Sequence, residues 1–124
     1  MALSVTPQAS PLGANLVQDD NNAGTTATPV LNATGAPGSI YMVDIDNAAG
    51  AAEVYLKIYD DAAPTVGVTA ANWVFRCGVG IRRSCVIPEG YAFANALSFA
   101  TVIEADQTGT TSSPTDVIIR IVTS

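Results

Sequence analysis

From Ile40 onward, apolar side chains recur at every second position, and that period of two restricts the chain to strands. Tyr41, Val43 and Ile45 fall on one side of the first run, with Asp44 and Asp46 on the other. Val54, Leu56 and Ile58 alternate with Glu53, Tyr55, Lys57 and Tyr59. Trp73, Phe75 and Cys77 alternate with Val74 and Arg76, and Ile81, Arg83, Cys85 and Ile87 with Arg82, Ser84 and Val86, where Pro88 is expected to end the run. Tyr91–Ile103 reads as one long strand bent near Asn95, and Val117, Ile119 and Ile121 form the last. A helical stripe at i, i+3, i+4 and i+7 is nowhere sustained, and β-branched and aromatic residues fill the apolar positions.

Six or more such strands, punctuated by Gly, Pro, Asn and Asp, call for an antiparallel β-sandwich. Periodicity alone leaves jelly-roll and immunoglobulin-like strand orders open. Residues 1–37 differ: Pro7, Pro11, Pro29 and Pro37, the run Asp19-Asp20-Asn21-Asn22 and only short apolar pieces occur there. Such a segment buries too little by itself to offset its ordering entropy, so it is mobile or laid against a neighbour. The expected fold is all-β, an antiparallel, jelly-roll-like β-sandwich over residues 38–124 with an extended N-terminal arm over residues 1–37. At 124 residues this is one domain, large enough for one core.

Composition excludes whole classes of chemistry. The chain has no histidine, so histidine triads, histidine general bases and the usual zinc sites drop out. Its net charge of −6, with Lys57 the single lysine, argues against nucleic acid and against anionic membranes. No apolar run approaches the roughly 20 residues of a membrane-spanning helix. Met1-Ala2-Leu3-Ser4 lacks the basic and apolar regions of a secretion signal, so synthesis and use in a cytoplasm are expected. Charged residues make up 13% of the chain, about half the usual share, so much of the exterior is Thr, Ala, Asn and Ser or is covered by something.

Cys77 and Cys85 flank Gly78-Val79-Gly80. Read as a simple hairpin, that turn sets Cys77 opposite Ile81 and Cys85 opposite Trp73. The sulfurs then lie roughly 13 Å apart, too far for a disulfide, and both cysteines are expected reduced.

Arg76, Arg82 and Arg83, beside Trp73, are the one basic concentration in an acidic chain. They either dock on an acidic partner or pair within the sheet, with Glu53 or Asp116, or stack on an aromatic ring. An arginine sharing a face with Trp73 and Phe75 needs a partner, which Arg83 does. Asp44, Asp46, Asp60 and Asp61 could meet at one end and hold Ca²⁺, but no spaced oxygen-ligand loop is present. They are expected as solvated turn and edge residues, Asp60 forming an Asx-turn before Pro64. Gly78–Arg83 lacks the third glycine and the helix of a phosphate loop. Asn32-Ala33-Thr34 is a sequon without a secretory route, Ser84 and Ser98 have no base, and Lys57 is expected on a surface face. No catalytic residue, cofactor or metal is expected.

The cadence of the second half carries a resemblance. Val54-Tyr55-Leu56-Lys57-Ile58-Tyr59-Asp60 is followed by Ala63-Pro64-Thr65-Val66-Gly67, the Trp73–Arg76 strand and Ile87-Pro88-Glu89-Gly90. Phe93-Ala94-Asn95-Ala96-Leu97-Ser98 and the Asp116–Val122 strand complete it. This run resembles small β-sandwich virion proteins of tailed bacteriophages, the decoration (cement) and tail-associated proteins. The resemblance implies a non-enzymatic structural protein of the virion, assembled in the bacterial host cytoplasm. It implies a homo-oligomer, a trimer by expectation, whose partner is the major capsid protein or another virion subunit. Trp73, Arg76, Arg82, Arg83, Tyr55 and Tyr59 are the candidate interface residues. The alternative is a tail-associated or receptor-binding module that recognises glycans through Tyr55, Tyr59 and Trp73. A hydrolase lacks both the histidine and an evident carboxylate pair.

Overall fold

The structure, a computed structural model, describes residues 3–7 and 14–124. Its strands are β1 (Leu3–Pro7), β2 (Asn15–Asp19), β3 (Gly38–Asp46), β4 (Val54–Asp60), β5 (Trp73–Cys77), β6 (Arg82–Phe93), β7 (Leu97–Val102) and β8 (Ile118–Thr123). They form two antiparallel sheets, ordered β1-β2-β8-β3-β6 and β5-β4-β7. Val30 adds a bridge to Phe99 beside β7. The layers therefore run β2-β8-β3-β6 and Val30-β7-β4-β5, which is the strand order of a jelly roll, with β1 added outside β2. The expected sandwich is observed.

Alternation supplies the core. Val43, Ile45, Ile119 and Ile121 from the larger sheet join Val54, Leu56, Ile58, Leu97 and Phe99 from the smaller in one buried cluster. Each such side chain contributes about 1.5–3 kcal/mol through burial.

Several sequence expectations change. Tyr41 does not share the core face with Val43 and Ile45; Ile40 does. The register passes from Met42↔Val86 to Ile40↔Tyr91, so Tyr41 alone opposes Ile87–Gly90. That bulge reverses the facing of the strand and holds Pro88 inside β6, where an edge position leaves its missing N–H without consequence.

The connection Gly78–Ile81 is not a hairpin. β5 pairs with β4 and β6 with β3, so the chain crosses from one sheet to the other. Buried Asn47 holds the crossing: its amide donates to the Gly78 carbonyl at 2.9 Å, and its backbone N–H to the Ile81 carbonyl at 2.9 Å. Periodicity sets which side chains share a face but not which strands pair.

The segment expected as an arm is laid against its own sandwich. β2 pairs with β8, and Val17 and Val30 belong to the core. Residues 1–2 and 8–13 of the expected arm lie outside the described residues.

Finally, β4 has no surface face. Lys57 and Tyr59 point away from the central core yet are buried under the connections 61–72 and 103–117. Gln107 of one connection donates to the Val68 carbonyl of the other at 2.9 Å, and the Lys57 ammonium donates to the Asp106 carbonyl at 2.5 Å. The expected long strand from Tyr91 divides at residues 94–96, where the Asp60 carboxylate accepts the N–H groups of Ala94, Asn95 and Ala96.

Candidate functional site

Among the described residues, β5 and β6 are each bonded to one neighbour, β5 at the edge of the small sheet and β6 at the edge of the large one. Residues from both line one cleft, so the two open edges lie on the same side of the sandwich. The cleft measures about 320 Å³ and is lined by Val43, Ile45, Phe75, Arg83 and Cys85 among others. Directly opposite residues share a face, so the registers Val43↔Cys85 and Ile45↔Arg83 turn Cys85 and Arg83 inward. Phe75 of the lining meets Trp73 edge-on, centroids 5.8 Å apart, and Trp73 in turn packs against Tyr91. Arg83 therefore faces the same interior as Trp73 and Phe75, as expected, but from the opposite sheet rather than across a hairpin.

The basic concentration divides into three environments. Arg76 lies on the outer face of the small sheet and pairs with Glu53 at 2.5 Å, while the Tyr55 hydroxyl donates to the same carboxylate. The hydrogen bond from Arg76, then that from Tyr55, lowers the Glu53 pKa to about 2. Arg82 lies on the outer face of the large sheet, its Nε 3.0 and 3.1 Å from the two Asp44 oxygens and its Nη2 2.9 Å from Oδ2. Ser84 Oγ donates to Asp44 at 2.6 Å and Arg120 pairs with it at 3.3 Å.

Burial pushes the Asp44 carboxyl up, but the hydrogen bonds from Arg82 and Ser84 outweigh it and hold the pKa below the ordinary value. Asp44 is thus 1% exposed and fully partnered, a correction to its expected solvated role. Arg83 is different. Among the described residues it is the one arginine without a carboxylate at ion-pair distance, and its Nη1 reaches only the Arg76 carbonyl, at 3.5 Å.

Tyr59 leaves the interface set: it is wholly buried, its hydroxyl has no hydrogen-bond partner, and burial raises its pKa. Tyr55 is half-buried beside Glu53. The four aspartates do not gather. Asp44 and Asp46 belong to the large sheet and Asp60 ends a strand of the small one. Asp61, not Asp60, makes the Asx-turn, accepting the Ala63 N–H at 2.9 Å. Burial raises the Asp60 pKa, but the three backbone N–H bonds bring it below the ordinary value. Among the described residues no group of three metal-ligating side chains occurs. Cys77 and Cys85 are free thiols on different sheets, Cys77 buried and Cys85 half-buried in the cleft.

The sequence reading missed an apolar surface. Val74, Val79, Ile81, Val86 and Tyr91, all on β5, β6 or their connection, are 40–56% exposed. Their signal is present in the sequence: Val74 and Val86 stand at the outward positions of their runs. Comparison with protein-family models, curated proteins and solved structures finds no match.

Proposed function

We propose that this chain is a non-enzymatic structural protein of a phage virion, acting as a capsid decoration protein that stabilises the particle through subunit contacts. The observation that carries this reading is the concentration of exposed apolar side chains along the β5–β6 edge, in a chain short of charge. These side chains flank the open edge from both outer faces, Val74 beside Arg76 on the small sheet and Val86 beside Arg82 on the large one, and Trp73, Tyr91, Arg76 and Arg83 there belong to residue types enriched at interfaces. The jelly-roll order agrees, since viral capsid domains use it, but lectin domains use it as well, so the fold alone does not choose between the two.

Tail-associated glycan recognition has less support. Tyr59 is buried and the Trp73 ring is engaged by Phe75 and Tyr91, which leaves no aromatic platform of Tyr55, Tyr59 and Trp73. Electron microscopy of particles assembled with and without the protein tests the proposal. Added density on the capsid surface is the expected result. Density confined to the tail, or none, contradicts it.

A further inference from the structure

Arg83 occupies a position that an isolated domain has little reason to fill with a cation. It sits on the inner face opposite fully buried Ile45, at a cleft lined by Val43, Ile45 and Phe75. The remaining arginines, Arg76, Arg82 and Arg120, each have a carboxylate. Beside Arg83 runs a free strand edge, because among the described residues β6 is bonded to β3 alone. The bulge at Ile87–Gly90, with Pro88 and the positive φ of Gly90, blunts the far half of that edge. Arg82–Val86 is regular and open to pairing.

We infer that the β6 edge at Arg82–Val86 is a docking site for an extended strand of a partner protein, with an acidic side chain two positions from an apolar one. The inference rests on the reading of the β5–β6 edge as an interface and names the partner's chemistry. A strand added to β6 places one residue opposite Arg83 and another opposite Cys85, both directed into the cleft. The first meets an unneutralised guanidinium and is acidic; the second meets the apolar wall and is aliphatic. Main-chain hydrogen bonds supply affinity irrespective of sequence, and the Arg83 pair supplies selectivity.

Two reporters are already in place, Cys85 in the cleft lining and Trp73 packed on the lining residue Phe75. Trp73 is the single tryptophan of the chain, and Cys85 is a half-buried thiol in the lining. The probe is an end-capped heptapeptide alternating threonine with valine and carrying one central glutamate. It is compared with the same peptide carrying glutamine, on the wild-type chain and on Arg83→Gln, whose exposed position preserves folding as checked by circular dichroism.

The expected result is saturable change in Trp73 fluorescence, slowed alkylation of Cys85, and binding of the glutamate peptide about tenfold tighter than the glutamine one. Arg83→Gln abolishes that difference. Equal binding of the two peptides, or alkylation of Cys85 unaffected by either, overturns the inference. So does self-association of the peptide-free chain that Arg83→Gln dissolves, since the occupant is then a second copy. The titration uses no particle, so it fails or succeeds independently of whether the protein decorates one.

Discussion

Arg83 lies directly across the β3–β6 ladder from Ile45, so a guanidinium shares the inner face of the sheet with an isoleucine that is almost wholly buried. At a closed edge that arrangement would strand a charge among apolar side chains. Here, among the described residues, the edge is open, the arginine reaches solvent, and the cleft beside it stays unfilled.

The outer face of the same sheet makes a stability prediction. Asp44 is buried and holds Arg82, Arg120 and Ser84. Asp44→Asn should cost about 2 kcal/mol at neutral pH, less than the loss of a fully buried pair because the Arg82 side chain is 57% exposed. Urea denaturation of the two proteins measures the difference.

Acid should weaken the fold in a defined direction. The folded-state pKa values of Asp44, Asp60 and Glu53 are depressed, so their contributions are complete above the unfolded carboxylate range. Those contributions are lost as the pH falls through the folded values, down to about 2 for Glu53. Stability should therefore fall between about pH 5 and 2, and the Asp44→Asn deficit should shrink with it. A deficit unchanged at the acidic end would contradict the pairing.

Asp19 runs the other way. Burial raises its pKa, outweighing the hydrogen bond from the Asn21 N–H, so ionised Asp19 opposes folding as the pH rises through its folded value. Asp19→Asn should raise the melting midpoint at pH 7, by up to about 1 kcal/mol of stability, and have no such benefit near pH 3. Thermal melts at the two pH values decide it.

Tyr59 offers a test of packing under the loop roof. Its hydroxyl is buried without a partner, so Tyr59→Phe removes an unmet polar group and should leave stability unchanged or raise it by up to about 1 kcal/mol. A loss of more than about 1 kcal/mol would mean the hydroxyl is bonded. Phe99→Ala, in the inner core, should by contrast cost about 3–5 kcal/mol.

Removal of residues 1–37 should abolish the cooperative fold. It strips β2 from β8 and takes Val17 and Val30 from the core. Loss of the sharp thermal transition is the expected readout, and a truncated chain melting cooperatively near the wild-type midpoint would contradict it.

Much of this architecture was legible in the alternation of Val54, Leu56 and Ile58 and of Val117, Ile119 and Ile121, because a period of two reports directly which side chains share a face. What it does not report is the partner of each strand. The connection after Cys77 has the composition of a hairpin turn but crosses between sheets, since the hydrogen bonds of Asn47, remote in sequence, decide its course. Tyr41 misled for a related reason: it is itself an extra residue in β3 against β8, where Met42↔Val122 is followed by Ile40↔Thr123, and alternation does not announce such a bulge. Lys57 and Tyr59 read as surface because loops carry no periodic signal of what they cover. Of the candidate interface, the Arg76–Glu53 pair was foreseeable as one of two alternatives, while the burial of Asp44 depends on Arg120 from a distant strand.

The central claim is that the β5–β6 edge is the surface by which this protein joins a particle. Val74 and Ile81 are about half exposed there, and charging both should perturb folding little. The direct measurement is co-sedimentation of wild-type protein and the Val74→Glu, Ile81→Glu double variant with phage particles assembled without it. Wild-type protein should pellet to saturation with the particles, and the folded double variant should remain in the supernatant. A folded double variant that pellets at wild-type occupancy would contradict the account.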